Sequence, residues 1–169
     1  MTPRVILIGP PGAGKSSIGL GLASRLKVGF SDTDKLIEKS SGRSVAQIFI
    51  EDGETEFRRM EREICAKAIL EEDGILALGG GAVLAPETQM LISGCESKII
   101  FLDVTLKVAA PRIGFNRDRP LLLTNPRQQW QLLMDARRPI YEELATLKYE
   151  VDDRSIKEIV EELLSLVAA

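Results

Sequence analysis

Apolar, β-branched runs alternate with helical patterns along the whole of this 169-residue chain. Val5–Ile8 is a continuous apolar run that ends at a Gly/Pro-rich turn, as a buried strand does. Lys15–Leu26 follows as a helix and Val28–Ser31 as a short second strand, with Asp32 placed to cap the helix after it. Ser44 and Gln47 form a capping box that opens Val45–Ile50. Glu54 to Glu71 reads as a long, charge-laced helix stopped by Gly74. Ile75–Leu78 is a third strand, closed by Gly79, Gly80 and Gly81. Pro86 starts another helix and Lys98–Val104 is a fourth strand. Thr105–Ile113 has a helical pattern, although Pro111 should end or bend it. From Gly114 to Asn125 there is little periodicity, the pattern of a mobile loop. Asn125–Pro126 supplies a cap and a first-turn proline for a helix reaching about Ala145. Leu147–Val151 is a fifth strand, and Ser155 with Glu158 caps the last helix.

Strands alternating with helices predict an α/β fold, a five-stranded parallel sheet with helices on both faces. Ligands of such sheets bind at the carboxyl ends of the strands. No repeat, linker or low-complexity segment divides the chain, so residues 1–169 are expected to form a single domain. The 44% hydrophobic and 28% charged content is ordinary for a globular protein. Neither a signal pattern nor an apolar run near the ~20 residues of a membrane span is present, so a cytoplasmic protein without a membrane partner is expected.

Side-chain inventory narrows the chemistry. There is no histidine, which removes Ser–His and Cys–His catalysis and His-ligated zinc. Cys65 and Cys95 have no metal spacing and make no disulfide framework. A net charge of −3 argues against general nucleic-acid binding. Yet Arg112, Arg117, Arg119, Arg127, Arg137 and Arg138 crowd one stretch, against only Asp118 and Asp135. They read either as solvated helix faces or as partners for a polyanionic ligand.

Gly9-Pro10-Pro11-Gly12-Ala13-Gly14-Lys15-Ser16 satisfies G-x-x-x-x-G-K-[ST], between a strand and a helix as that motif requires. Glycines let backbone N–H groups converge on phosphate oxygens, and the helix presents its positive end to the same anion. Lys15 is expected to reach the β- and γ-phosphates, and the Ser16 hydroxyl to bind Mg²⁺. An ATP or GTP site follows, but not the kind of enzyme.

Asp32 and Asp34 stand at the second strand-to-helix turn. One could hold the water shell of Mg²⁺ while the other meets an acceptor hydroxyl; equally, both could be ordinary helix-start acids. Arg58 and Glu61 share a helix face three residues apart, and a surface ion pair is the simpler reading. Gly79-Gly80-Gly81 is less easily a plain turn, because one glycine would serve; three suggest backbone N–H groups approaching a ligand.

Taken together the motifs resemble the shikimate kinase family of P-loop small-molecule kinases. The resemblance is carried by Gly9–Ser16, Phe30-Ser31-Asp32-Thr33-Asp34 with Ile37-Glu38, and Gly42-Arg43-Ser44 before Ile48-Phe49. It continues through Gly53-Glu54 before Phe57-Arg58 and Glu61, Gly79–Gly81, Arg119-Pro120-Leu121-Leu122 and Arg137-Arg138-Pro139-Ile140-Tyr141. The resemblance implies the P-loop kinase fold, with the P-loop at 9–16 and a mobile lid at about 114–125. It implies transfer of the γ-phosphoryl of ATP to the 3-hydroxyl of shikimate, in chorismate and aromatic amino-acid biosynthesis, by a Mg²⁺-dependent enzyme expected to be a monomer.

By the same resemblance, Gly12, Ala13, Gly14, Lys15, Ser16 and Ser17 hold ATP, with Arg112 against the adenine. Ser16 and Asp32 hold Mg²⁺. Asp34 contacts the shikimate hydroxyls as candidate base, Arg58 and Arg137 clamp the carboxylate, and Gly79, Gly80 and Gly81 lie against the ring. Lys15 and Arg119 stabilise the transferring phosphate; Arg119 is chosen over Arg117 because it precedes Pro120-Leu121-Leu122. The family often has a proline near the adenine after the last strand. Here Val151-Asp152-Asp153-Arg154-Ser155 has none, which leaves that adenine contact unassigned. A P-loop kinase for another small hydroxylated acid, such as gluconate, is the alternative.

Overall fold

The computed structural model describes residues 3–113 and 125–167. Five strands, β1 (Val5–Ile8), β2 (Phe30–Asp32), β3 (Ile75–Ala77), β4 (Lys98–Asp103) and β5 (Leu147–Glu150), form one parallel sheet in the order β2-β3-β1-β4-β5. The helices are α1 (Lys15–Leu26), α2 (Thr33–Ser41), α3 (Val45–Glu71), α4 (Pro86–Gly94), α5 (Leu106–Ile113), α6 (Pro126–Leu144) and α7 (Ile156–Val167). The chain leaves β1 towards β2 on one side and leaves β3 towards β4 on the other. Neighbouring strands whose connections part in this way open a crevice at their carboxyl ends. The loop after β1 is Gly9–Gly14, and the loop after β3 holds the three glycines.

β1 is buried at all four positions, and its neighbour β4 at four of six, as central strands covered on both faces must be. A second, smaller cluster of Ile37, Val45, Ile48 and Phe57 joins α2 to α3, with Phe49, Met60 and Ile64 packed on it. Full burial of each such side chain is worth about 1.5–3 kcal/mol. This cluster sets the α2–α3 unit beside the crevice.

Most predicted elements stand where the sequence puts them, with a few displaced ends. The second strand begins at Phe30 rather than Val28, because the Val28 N–H is used on the Ala23 carbonyl to close α1. The helices predicted at 45–50 and 54–71 run together as α3, with Gly53 at φ 86°, ψ 171° as a kink between them. The capping box forms as expected: Ser44 Oγ accepts from the Gln47 N–H and Gln47 Oε1 from the Ser44 N–H. α3 ends at Glu71, before Gly74, whose φ of 95° instead serves the turn into β3. A Cβ there would lie 2.3 Å from the Gly29 carbonyl oxygen. α5 continues two residues past Pro111. Asn125 makes no side-chain cap on α6; it takes the left-handed conformation that asparagine tolerates, and its carbonyl starts the helix. Ser155 Oγ accepts from the Glu158 N–H at the start of α7, as predicted.

Candidate active site

The loop after β1 closes on itself before the helix begins. The Ala13 N–H donates to the Pro10 carbonyl, and Gly12 and Gly14 take φ of 85° and 93°. Gly12 has no room for a side chain: a Cβ would lie 2.9 Å from both Cβ and the carbonyl oxygen of Ala109 on α5. Lys15 Nζ donates to the carbonyls of Gly9 at 2.6 Å and Pro10 at 3.0 Å, arching over the loop. The α1 N-terminus carries no acidic residue of its own in its first turn, and its positive end faces the loop.

Asp32 ends β2 and divides its two oxygens. Oδ1 accepts from the N–H groups of Asp34 and Lys35, capping α2, while Oδ2 accepts from Ser16 Oγ at 2.8 Å. Asp32 is thus the helix cap that the sequence allowed, and its second oxygen is left for the Ser16 hydroxyl. A hydroxyl and a carboxylate oxygen side by side are the hard donors that Mg²⁺ takes, with its remaining positions left to water and phosphate. Among the described residues no cluster of three or more acidic, cysteine or histidine side chains offers an all-protein metal cage.

Each of the three glycines faces a different charged side chain. A Cβ on Gly79 would stand 2.8 Å from Asp34 Oδ1 and 3.2 Å from Glu61 Oε2. On Gly80 it would stand 3.1 Å from Pro11 Cδ and 3.4 Å from Arg137 Nη1, and on Gly81 2.6 Å from both Nη atoms of Arg58. The triple glycine thus makes room for side chains, a reason the sequence reading did not anticipate. The Gly79 N–H in fact donates to the buried Thr33 Oγ1.

Arg58 and Glu61 are not a surface pair. Their 2.7 Å ion pair has a Glu61 side chain only 5% exposed, so the carboxylate is a fixed orienting partner for the guanidinium. Arg137 is buried on α6, and among the described residues its Nε, itself out of water, meets no hydrogen-bond acceptor. A buried guanidinium N–H without an acceptor costs about 1–3 kcal/mol, which a bound carboxylate would recover.

A cleft of about 660 Å³ runs along these groups. Gly12, Gly14, Lys15, Ser16 and Ser17 form its phosphate side; Asp32, Asp34, Gly79 and Gly80 form its other side. Arg58 and Arg137 stand behind the glycine turn rather than in this lining. At the far end Arg112 lines it and donates to the Gly12 carbonyl at 3.2 Å, beside Ile113 and Ile156. Ile156, the first residue of α7, is an apolar wall that sequence reasoning missed. Helical amphipathicity alone explains an isoleucine there. Arg119, like Arg117, lies outside the described residues.

The family model for shikimate kinase matches residues 11–168. The chain belongs to the shikimate kinase family. A curated shikimate kinase from Streptomyces coelicolor is 43% identical over 165 residues, covering 98% of this chain and 95% of the relative. A structure of shikimate kinase from Acinetobacter baumannii in complex with shikimate superposes with a TM-score of 0.93 at 28% identity, over 99% of this chain and 93% of that one. A gluconokinase from Sinorhizobium meliloti reaches a TM-score of 0.61 at 18% identity, over 99% and 92% of the two chains, a likeness of fold alone. The P-loop kinase fold expected from the sequence is the fold of this shikimate kinase family member.

Proposed function

We propose that this chain transfers the γ-phosphoryl group of ATP to the 3-hydroxyl of shikimate, giving shikimate 3-phosphate and ADP. The observation that carries the reading is the convergence of Asp34, Arg137 and Arg58 on three successive glycines beside the phosphate loop. A small rigid hydroxy-acid needs such a set: planar guanidinium groups for its carboxylate and an acid for its hydroxyls.

In this reading the N–H groups of Gly12 to Ser17 and the Lys15 ammonium bind the phosphates, while Arg112 and Ile156 border the base. Ser16 and Asp32 would hold Mg²⁺, which when bound neutralises charge on the phosphate oxygens. Arg58, set by Glu61, and Arg137 clamp the carboxylate, so the acceptor hydroxyl is presented in line to the γ-phosphorus. Asp34 orients that hydroxyl and takes its proton as the bond to phosphorus forms and the bond to the β-bridging oxygen breaks. Because proton loss is late in a loose transition state, an ionised Asp34 suffices as orienter. Positioning and charge stabilisation do most of the work. The assignment of Arg119 to the transferring phosphate rests on its place before Pro120-Leu121-Leu122. The free Cys65 and Cys95 suit a reducing cytoplasm.

A coupled ADP-release assay with a panel of shikimate, gluconate and nucleoside monophosphates tests the proposal. Turnover with shikimate alone is expected. Preference for gluconate would replace this substrate by the runner-up.

A further inference from the structure

The buried face of α6 carries Trp130, Met134, Arg137 and Tyr141, at the i, i+4, i+7 and i+11 spacing of a single helical stripe. Its two aromatic members reach backbone carbonyls of two different loops. Trp130, 1% exposed, donates from Nε1 to the Pro11 carbonyl at 2.9 Å. Tyr141, fully buried, donates from its hydroxyl to the Gly80 carbonyl at 2.6 Å. The two loops also abut, since a Cβ on Gly80 would stand 3.1 Å from Pro11 Cδ. Arg137 lies between the aromatic pair on the same stripe, with Nη1 beside Gly80.

In a planar trans peptide the C=O of one residue and the N–H of the next point in opposite directions. Holding the Pro11 carbonyl towards α6 turns the N–H of Gly12 away from it, on the loop that lines the phosphate side of the cleft. Holding the Gly80 carbonyl towards α6 likewise turns the N–H of Gly81 away from Tyr141. One rigid helix therefore fixes two peptide planes and one guanidinium at a constant mutual distance.

We infer that Trp130 and Tyr141 are positioning residues of the phosphoryl transfer, through which α6 sets the register between the phosphate loop and the acceptor-binding glycine turn. The inference rests on the reading that one loop holds ATP and the other the acceptor acid. Pro11 and Gly80 line the cleft and Trp130 and Tyr141 do not, so the two residues act through the peptides they aim. In-line transfer is sensitive to displacements of about an ångström, which makes such a strut felt in kcat.

The test replaces only the donors. Tyr141→Phe keeps the ring, and substitution of Trp130 by its sulfur isostere, 3-benzothienylalanine, keeps the bicyclic volume while removing N–H; Trp130→Phe is the genetic counterpart. Assays run well below each variant's Tm should show kcat lower by about tenfold or more in both. The affinities should split: ADP binding, read calorimetrically, weakens in the Trp130 variants and shikimate binding does not, while Tyr141→Phe does the reverse. Unchanged kcat in folded variants, or equal loss of both affinities in both, would overturn the register role and leave only a stability role. Failure of the proposed function is seen separately, as absence of shikimate turnover in the unaltered protein.

Discussion

Ser16 and Asp32 meet in a 2.8 Å hydrogen bond that occupies one carboxylate oxygen, while the other oxygen of Asp32 caps α2. The two duties can be separated by substitution. Asparagine retains an Oδ1 that can cap, so Asp32→Asn should leave Tm nearly unchanged while raising the Mg²⁺ concentration needed for half-maximal kcat several-fold. Asp32→Ala removes both functions, and losing the cap costs about 1 kcal/mol, or ~2–4 °C in Tm. Thermal melts beside Mg²⁺ titrations of kcat check both. An Asn variant with unaltered Mg²⁺ dependence would remove Asp32 from the metal side.

Gly81 tests whether the acid pocket depends on where Arg58 stands. A Cβ at this position would lie 2.6 Å from both Nη atoms of Arg58. Those atoms end a long side chain and can shift, at a stability cost of about 0.5–3 kcal/mol because they are paired with the buried Glu61. Gly81→Ala should therefore fold and keep its KM for ATP, while its KM for shikimate rises about tenfold by the loss of a charge-assisted hydrogen bond. Arg58→Lys should match it, because charge without the planar fork does not restore bidentate binding. An alanine variant with normal shikimate KM would show that Arg58 does not hold the acid.

What the sequence made legible follows from how local the signal is. The P-loop, the Ser44–Gln47 box and the strand–helix alternation depend on neighbours within a few residues, and each stands as read. The Arg58–Glu61 pair was legible as a pair but not as a buried one, because its burial comes from the glycine turn more than fifteen residues along the chain. Trp130 carried no signal, and Tyr141 only as the last residue of the Arg137–Tyr141 motif: a buried aromatic on a helical stripe looks like core, and their bonds to Pro11 and Gly80 cross the fold. Ile156 was hidden in the same way, as one more apolar residue of an amphipathic helix.

Cys65 and Tyr141 give the fold an alkaline limit. Burial pushes the Cys65 thiol up from its ordinary 9.0, and the charges of Glu61 and Asp34 push it the same way. Burial likewise raises Tyr141 to about 12, against the opposing effect of Arg137. Both are acids whose folded pKa exceeds the unfolded one, so the unfolded chain releases its protons first as pH rises. The Cys65 contribution is intact below about pH 9 and that of Tyr141 below about pH 10, and each is lost above its own limit, by up to ~1.4 kcal/mol per pH unit and group. Urea midpoints across about pH 8–10.5 should fall, and fall less steeply in Cys65→Ala. Equal slopes in the two proteins would show that the Cys65 thiol does not stay protonated in the folded state.

Asp34 is the group on which the proposed chemistry turns. It stands in the first turn of α2, its own N–H anchored on Asp32 Oδ1, and its Oδ1 lies where a Gly79 side chain would otherwise be. Asp34→Asn keeps that shape and removes charge and basicity together. If Asp34 orients and deprotonates the acceptor hydroxyl, kcat should fall by about 10²-fold or more, the usual contribution of a positioned acid–base group. Shikimate affinity should change much less, since the amide still bonds hydroxyls and the carboxylate clamp of Arg58 and Arg137 is untouched. Raising Mg²⁺ should not restore the rate, in contrast to Asp32→Asn. Were Asp34 only a first-turn acid, losing its charge would cost about 0.3–1 kcal/mol of stability and leave kcat as it was. Steady-state kinetics with both substrates, run beside thermal melts, separates these outcomes, and normal turnover in the folded Asn variant would end the case for Asp34 as base or orienter.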